Sequence, residues 1–218
     1  MRNLFLKPLN LLACPGDVFE EVAAGPPCVV NWLAPTLLVA LTSLLLLCAT
    51  SPKEPSAIRH MLDAGKVSAE QALVLSARWR MISWLTVGLA AFAGTFWSAF
   101  LLWSIGRLFL KVRFPFFKSV EIVGLSGSIL ALGAVVTLLL IAATGDVNAR
   151  PALSLLVPHL GSANPVRAFL GVLNVFHLWT TTVLAIGLSK LSGVSFKEAA
   201  YWVFGYWLVV RMVTILLA

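Results

Sequence analysis

Apolar residues fall into five long blocks, separated by stretches in which charges, prolines and glycines collect. A helix that crosses a bilayer needs about 20 mainly apolar residues in a row, and residues 29–50, 82–105, 120–143, 166–188 and 199–217 meet that length. The pattern predicts an all-α fold, a polytopic membrane bundle of five transmembrane helices with short interfacial helices before it. The fourth block is the most polar, with Asn174, His177, Thr180, Thr181 and Thr182, yet no charge lies between Arg167 and Lys190. Ahead of the first block, Pro15-Gly16 breaks the chain. Asp17, three residues before Glu20, reads as the N-cap of a short helix that ends near Gly25-Pro26-Pro27. Leu4, Phe5, Leu6, Leu9, Leu11 and Leu12, with Arg2 and Lys7, read as interfacial. Two parts are expected: an interfacial N-terminal segment, 1–28, and a five-helix transmembrane domain, 29–218. Residues 51–81 read as a solvated connector with a helical stretch after Ser68, and 153–160 as an apolar patch lying on the membrane.

Composition agrees with a lipid solvent. Of 218 residues 60% are hydrophobic and 11% charged, and mean hydropathy is +0.94, against about 25% charged residues in soluble domains. The net charge of +7 comes from 16 Lys and Arg against 9 Asp and Glu. These bases flank apolar blocks, which is the habit of cytoplasmic loops and headgroup contacts and not of a nucleic-acid surface. Cys14, Cys28 and Cys48 have neither CxxC nor Cys/His spacing, so no disulfide framework or zinc site is expected. Leu11-Leu12-Ala13-Cys14 resembles a lipoprotein cleavage box, but Lys7, Pro8 and Asn10 interrupt the apolar region it requires. His60 and His159 lack metal partners at useful spacing, and no phosphate loop or dinucleotide fingerprint occurs, so no metal or cofactor is expected.

The segment 106–119 carries Arg107, Lys111, Arg113 and Lys118 and no acid. Placing it in the cytoplasm puts the N-terminus inside, against five opposing bases in the first connector. Phe109, Phe114, Phe116 and Phe117 interleave with these bases, and Pro115 interrupts the helix there. The four bases are therefore a candidate site for anionic lipid headgroups, with topology determinant as the plain alternative.

The stretch Asn174-Val175-Phe176-His177-Leu178-Trp179, then Leu184-Ala185-Ile186-Gly187-Leu188-Ser189, Gly193-Val194-Ser195-Phe196-Lys197-Glu198-Ala199-Ala200 and Trp207 resembles the Yip-domain family. Pro15-Gly16-Asp17-Val18-Phe19-Glu20-Glu21-Val22 is similar to the start of prokaryotic members. The resemblance implies a five-span membrane protein. It also implies, for eukaryotic members, Ypt/Rab GTPase partners in traffic between endoplasmic reticulum and Golgi. Those members have a long cytosolic tail with a Tyr-Gly-Pro element and a Gly-Tyr start with a following proline in the third span. Here about 28 residues precede the first span and Gly124-Leu125-Ser126-Gly127 stands in the third. A bacterial inner-membrane protein is the expectation, and these departures put a GTPase partner in doubt.

Gly124-Leu125-Ser126-Gly127 also matches the GxSG element of rhomboid-type intramembrane proteases, with His177 on the next span as a base for Ser126. Helix packing explains more of the same residues. Gly124, Gly127, Ser128, Ala131 and Ala134 share one face, as Ala90, Gly94 and Ser98 do on the second span, and small faces let helices approach closely. Ionisable residues at the membrane margin are functional candidates. Lys118 is the expected partner of Glu121, while Arg211 is expected to snorkel outward or meet Asp146. Gly171, Asn174, His177, Thr181 and Ala185 are expected to form an inward polar face, with Tyr201, Tyr206, Ser98 and Ser104 as the nearest partners. The overall expectation is a non-enzymatic organiser or adaptor that binds lipids, other membrane proteins or a second copy of itself. A transporter, channel or lipid scrambler is the alternative, needing a polar route through the bundle, and an intramembrane serine protease is a remote one.

Overall fold

The computed structural model describes residues 6–51, 55–157, 160 and 164–216. Arg2, Leu4, Phe5, His159 and Leu217, each given a place above, lie outside the described residues. Two short helices come first, α1 (Leu6–Ala13) and α2 (Pro15–Ala24). α2 begins at Pro15 and not at a cap on Asp17: Cys14 holds the N-cap position without a side-chain bond, and Asp17 is the acidic residue of the first turn. Proline suits that turn because its missing N–H would have had no partner there, and the carboxylate suits the positive helix end. Val18, Phe19 and Val22 of α2 are buried together with Leu11 of α1, in one core cluster with the long helices. The described part of 1–28 therefore shares the bundle's core.

Next come α3 (Val30–Thr50), α4 (Ser56–Asp63) and α5 (Ala69–Ser104). α5 starts at a capping box, with Gln71 N–H donating to Ser68 Oγ and Ser68 N–H to Gln71 Oε1. It then runs without a break through the end of the expected connector and passes into a π-turn, Ile105–Phe109. The stretch Ala69–Phe109 is 41 residues long, about twice the ~20 that cross a bilayer, so a good part of it projects beyond the hydrocarbon. α6 (Phe116–Thr144) follows Pro115 and stops at Gly145, whose φ of 70° makes a left-handed C-cap.

Among the described residues three helical stretches are long and apolar enough to cross a membrane: Val30–Thr50, Ala69–Phe109 and Phe116–Thr144. The fourth predicted span, by contrast, is not one helix. α7 (Pro165–Val172) ends at Leu173, and α8 (Val175–Ser192) begins afresh. Asn174 makes the break: its Oδ1 accepts from Phe176 N–H at 2.9 Å and His177 N–H at 3.4 Å. An N-cap of this kind competes with continued helix. The backbone groups released are taken up by the preceding loop, through Leu153 N–H to Leu173 O and Val175 N–H to Pro151 O. α9 (Phe196–Leu216) lies over the fifth predicted stretch but, like α8, is not among those three, so five spans are not all found among the described residues. The only pairing of β type among the described residues is the isolated bridge between Ala152 and Asn174.

α6 is the central helix, buried continuously from Lys118 to Ser126. Glycines permit this crowding. A Cβ at Gly124 would sit 2.5 Å from Trp32 Cβ on α3, and one at Gly133 would lie 2.8 Å from Phe176 Cβ on α8. Gly187 of α8 receives both Ile122 of α6 and Phe19 of α2, so three helices meet at one point. At the water side Lys190 donates to Glu20 at 2.9 Å, which holds the Glu20 carboxyl below its ordinary range. The pair is exposed and adds little to stability.

Candidate functional site

Two polar features flank the start of α6. The first is a buried ionic cluster. Lys118 Nζ donates to Val22 O at 2.6 Å and Gly25 O at 2.7 Å, and lies 3.3 Å from Glu121 Oε1. Of the three donors of an ammonium, two are taken by carbonyls, and the carboxylate pairs with it by charge, its Oε1 having no hydrogen-bond partner among the described residues. Glu121 Oε2 accepts from Asn31 Nδ2 of α3 at 2.6 Å. Lys118 is 5% exposed and Glu121 1%. The cation sits at the C-terminal end of α2, where the carbonyls of a helix concentrate negative potential. One side chain thus ties α2 to α6, and its counter-ion ties α6 to α3.

Lys118 was expected among the headgroup-binding bases, and its burial removes it from that group. The i,i+3 spacing of Lys118 and Glu121 was legible in the sequence. Asn31 and the two carbonyls were not, since nothing local marks them.

The second feature is the surface formed by the remaining bases. Arg107, Lys111 and Arg113 are exposed, and no ion pair among the described residues includes them. The backbone that presents them is folded tightly. The π-turn closes with Leu110 N–H on Ile105 O, and Lys111, at a φ of 55°, reverses the chain so that Val112 N–H reaches Gly106 O. Phe114 packs on Gly106, where an added Cβ would lie 2.5 Å from its ring. Trp103 Nε1 donates to Phe114 O at 3.2 Å, and the Trp103 ring has Arg107 Cζ 5.1 Å from its centroid. Of the four phenylalanines, Phe114 and Phe116 pack inward while Phe109 and Phe117 are 52% and 56% exposed, beside Leu108 at 67%. Cations and apolar groups therefore emerge side by side from a braced turn at one end of α5 and α6.

The other expected site residues divide. Asn174 caps α8 and Gly171 belongs to α7, so the inward polar face does not extend as expected. His177 and Thr181 line a cavity of about 170 Å³ between α5, α6, α8 and α9, together with Ser98, Tyr206 and Arg211. Arg211 does not meet Asp146, whose Oδ2 lies 4.0 Å from Arg167. Gly127 has Val39 Cγ2 3.3 Å from an added Cβ, and Ala131 is buried. Gly94 differs: nothing lies within 4 Å of its added Cβ, so this expected packing glycine is open to the outside of the bundle. Ser126 is fully buried and its hydroxyl donates to Ile122 O at 2.7 Å. It does not line the cavity that holds His177, so the serine and histidine of the protease reading are not brought together. No group of three or more His, Cys, Asp or Glu able to hold a metal occurs among the described residues.

The sequence pattern of the Yip1 domain matches residues 9–218. No curated protein and no solved structure matches the chain.

Proposed function

The chain belongs to the Yip1 domain family of membrane proteins, and from that premise we propose that it is a non-enzymatic organiser that gathers anionic lipid around the turn between α5 and α6. The carrying observation is the exposure of Arg107, Lys111 and Arg113, free of acidic partners among the described residues, beside exposed Leu108, Phe109 and Phe117. A base close to an anionic leaflet is worth about 1 kcal/mol, so three give about 3 kcal/mol, roughly a hundredfold preference at most. The rings and Leu108 enter the interface while the cations stay at the headgroups. In this reading α8 and α9 are the fourth and fifth spans, and the open face of α5 around Gly88 and Gly94 is where another membrane protein or a second copy can approach.

Replacing Arg107, Lys111 and Arg113 together with Gln is expected to lower the anionic lipid that co-purifies from native membranes severalfold while leaving zwitterionic lipid unchanged. An unchanged ratio removes the lipid site. The same reading places the turn in the cytoplasm, at the inner membrane of a bacterium. With Cys14, Cys28 and Cys48 changed to Ser, a cysteine introduced as Arg113→Cys is expected to react with an impermeant maleimide only after the cytoplasmic side is opened. Labelling from outside intact cells reverses the topology.

A further inference from the structure

We infer that the cavity between α5, α6, α8 and α9 binds the carboxylate end of a single-chain fatty acid. This site is separate from the α5–α6 turn and does not depend on it. Arg211 lines the cavity, and a guanidinium keeps its charge in any protein environment. None of the ion pairs among the described residues includes it. Its guanidinium faces the Trp207 ring, whose centroid lies 5.9 Å from Cζ. A cation on a membrane-embedded helix, as α9 is in the reading above, calls for a counter-charge, and no carboxylate among the described residues lines this cavity.

The same wall holds a second unmet demand. Trp207 Nε1 is buried with no partner among the described residues, and a buried donor left unpaired costs free energy that a ligand acceptor would recover. His177 and Tyr206 add two more groups able to donate. Thr180 and Thr181 are spoken for, since their hydroxyls donate to Phe176 O and His177 O. The donors therefore concentrate on α9 and the first turn of α8. Apart from Ser98 of α5, the rest of the lining, including Leu101, Leu102, Leu130 and Leu184, is apolar.

Cationic and N–H donors at one end with leucines beyond them are the complement of an anionic amphiphile. Size fits a single chain. A cavity of about 170 Å³ has roughly six waters' share of volume, enough for a carboxylate and the first few methylenes of one chain. A carboxylate also presents two oxygens in the plane that a guanidinium fork matches.

The test uses the full chain in detergent, titrated by native mass spectrometry with palmitate, with hexadecanol as the uncharged chain and with a lysophosphatidate as the phosphate-headed one. The expected result is a single palmitate per chain, held at least tenfold more tightly than hexadecanol. Arg211→Gln is expected to lose tenfold or more. Trp207→Phe, which keeps a ring beneath the guanidinium but removes the N–H, is expected to lose threefold or more and serves if the first variant fails to fold. The triple Gln variant of the α5–α6 turn is expected to bind palmitate as the native chain does. Equal affinity for acid and alcohol, several adducts indifferent to both cavity variants, or tighter binding of lysophosphatidate than of palmitate would each overturn the assignment.

Discussion

Lys118→Met is expected to destabilise the protein by about 3–5 kcal/mol, the usual result of removing one partner from a buried ion pair. The size follows from what remains. Glu121, 1% exposed, would keep only the bond from Asn31, and the carbonyls of Val22 and Gly25 would lose their shared donor. The loss should be read as unfolding free energy in detergent, together with the accessibility of Phe19, since α2 is released from α6 when the lysine goes. Adding Glu121→Gln to the same chain is expected to recover at least half of the loss, because the buried charge is then gone. A single variant within 1 kcal/mol of the native protein would mean that the cluster does not hold α2 in place.

The second large effect concerns two glycines that the sequence presents alike. Gly124→Ala places a methyl group against the Cα and Cβ of Trp32, so the α3 backbone must withdraw from α6. Overpacking of this kind costs about 1–3 kcal/mol, and it must outweigh the ~1 kcal/mol by which alanine improves a helix interior. Gly94→Ala meets nothing within 4 Å and is expected to be neutral or stabilising by up to about 1 kcal/mol. Thermal unfolding of the two variants side by side checks the contrast. If both behave alike, α3 and α6 do not approach through Gly124.

That pair also illustrates how much of the molecule can be read from the chain. The first three spans were legible because each is a long apolar block, and block length is a property of sequence alone. Which glycine faces a neighbour is not, since Gly94 and Gly124 both stand in rows of small residues and only tertiary packing separates them. The break at Asn174 was missed for a related reason. A spacing of three to His177 fits a helical face and equally fits an N-cap reaching the N–H groups that follow, and the loop at Pro151–Leu153 decides for the cap by pairing with the freed backbone.

The candidate site was half legible. Arg107, Lys111 and Arg113 were found because bases without acids stand out in a chain so poor in charge. Lys118, seven residues beyond Lys111, has the same local appearance but is captured by carbonyls of α2 that lie 93 and 96 positions away in sequence. The cavity near Arg211 was legible in part: His177 and Thr181, expected on an inward polar face, line it with Ser98 and Tyr206 of their expected partners, and Arg211 is the lone base in the last block. Trp207, one helical turn before it, and Tyr206 are local to α9, whereas His177 joins them through the packing of α9 on α8.

The central claim is that the turn between α5 and α6 selects anionic lipid, and Trp103, under Arg107, is placed to report it. In proteoliposomes of a variant whose other seven tryptophans are phenylalanine, quenching of Trp103 by brominated phosphatidylglycerol should exceed quenching by brominated phosphatidylcholine at the same mole fraction. The excess should shrink as salt is raised, because exposed charges are screened, and should vanish when Arg107, Lys111 and Arg113 are all Gln. Equal quenching by the two lipids with the three bases in place, or an excess that survives the triple substitution, would contradict it.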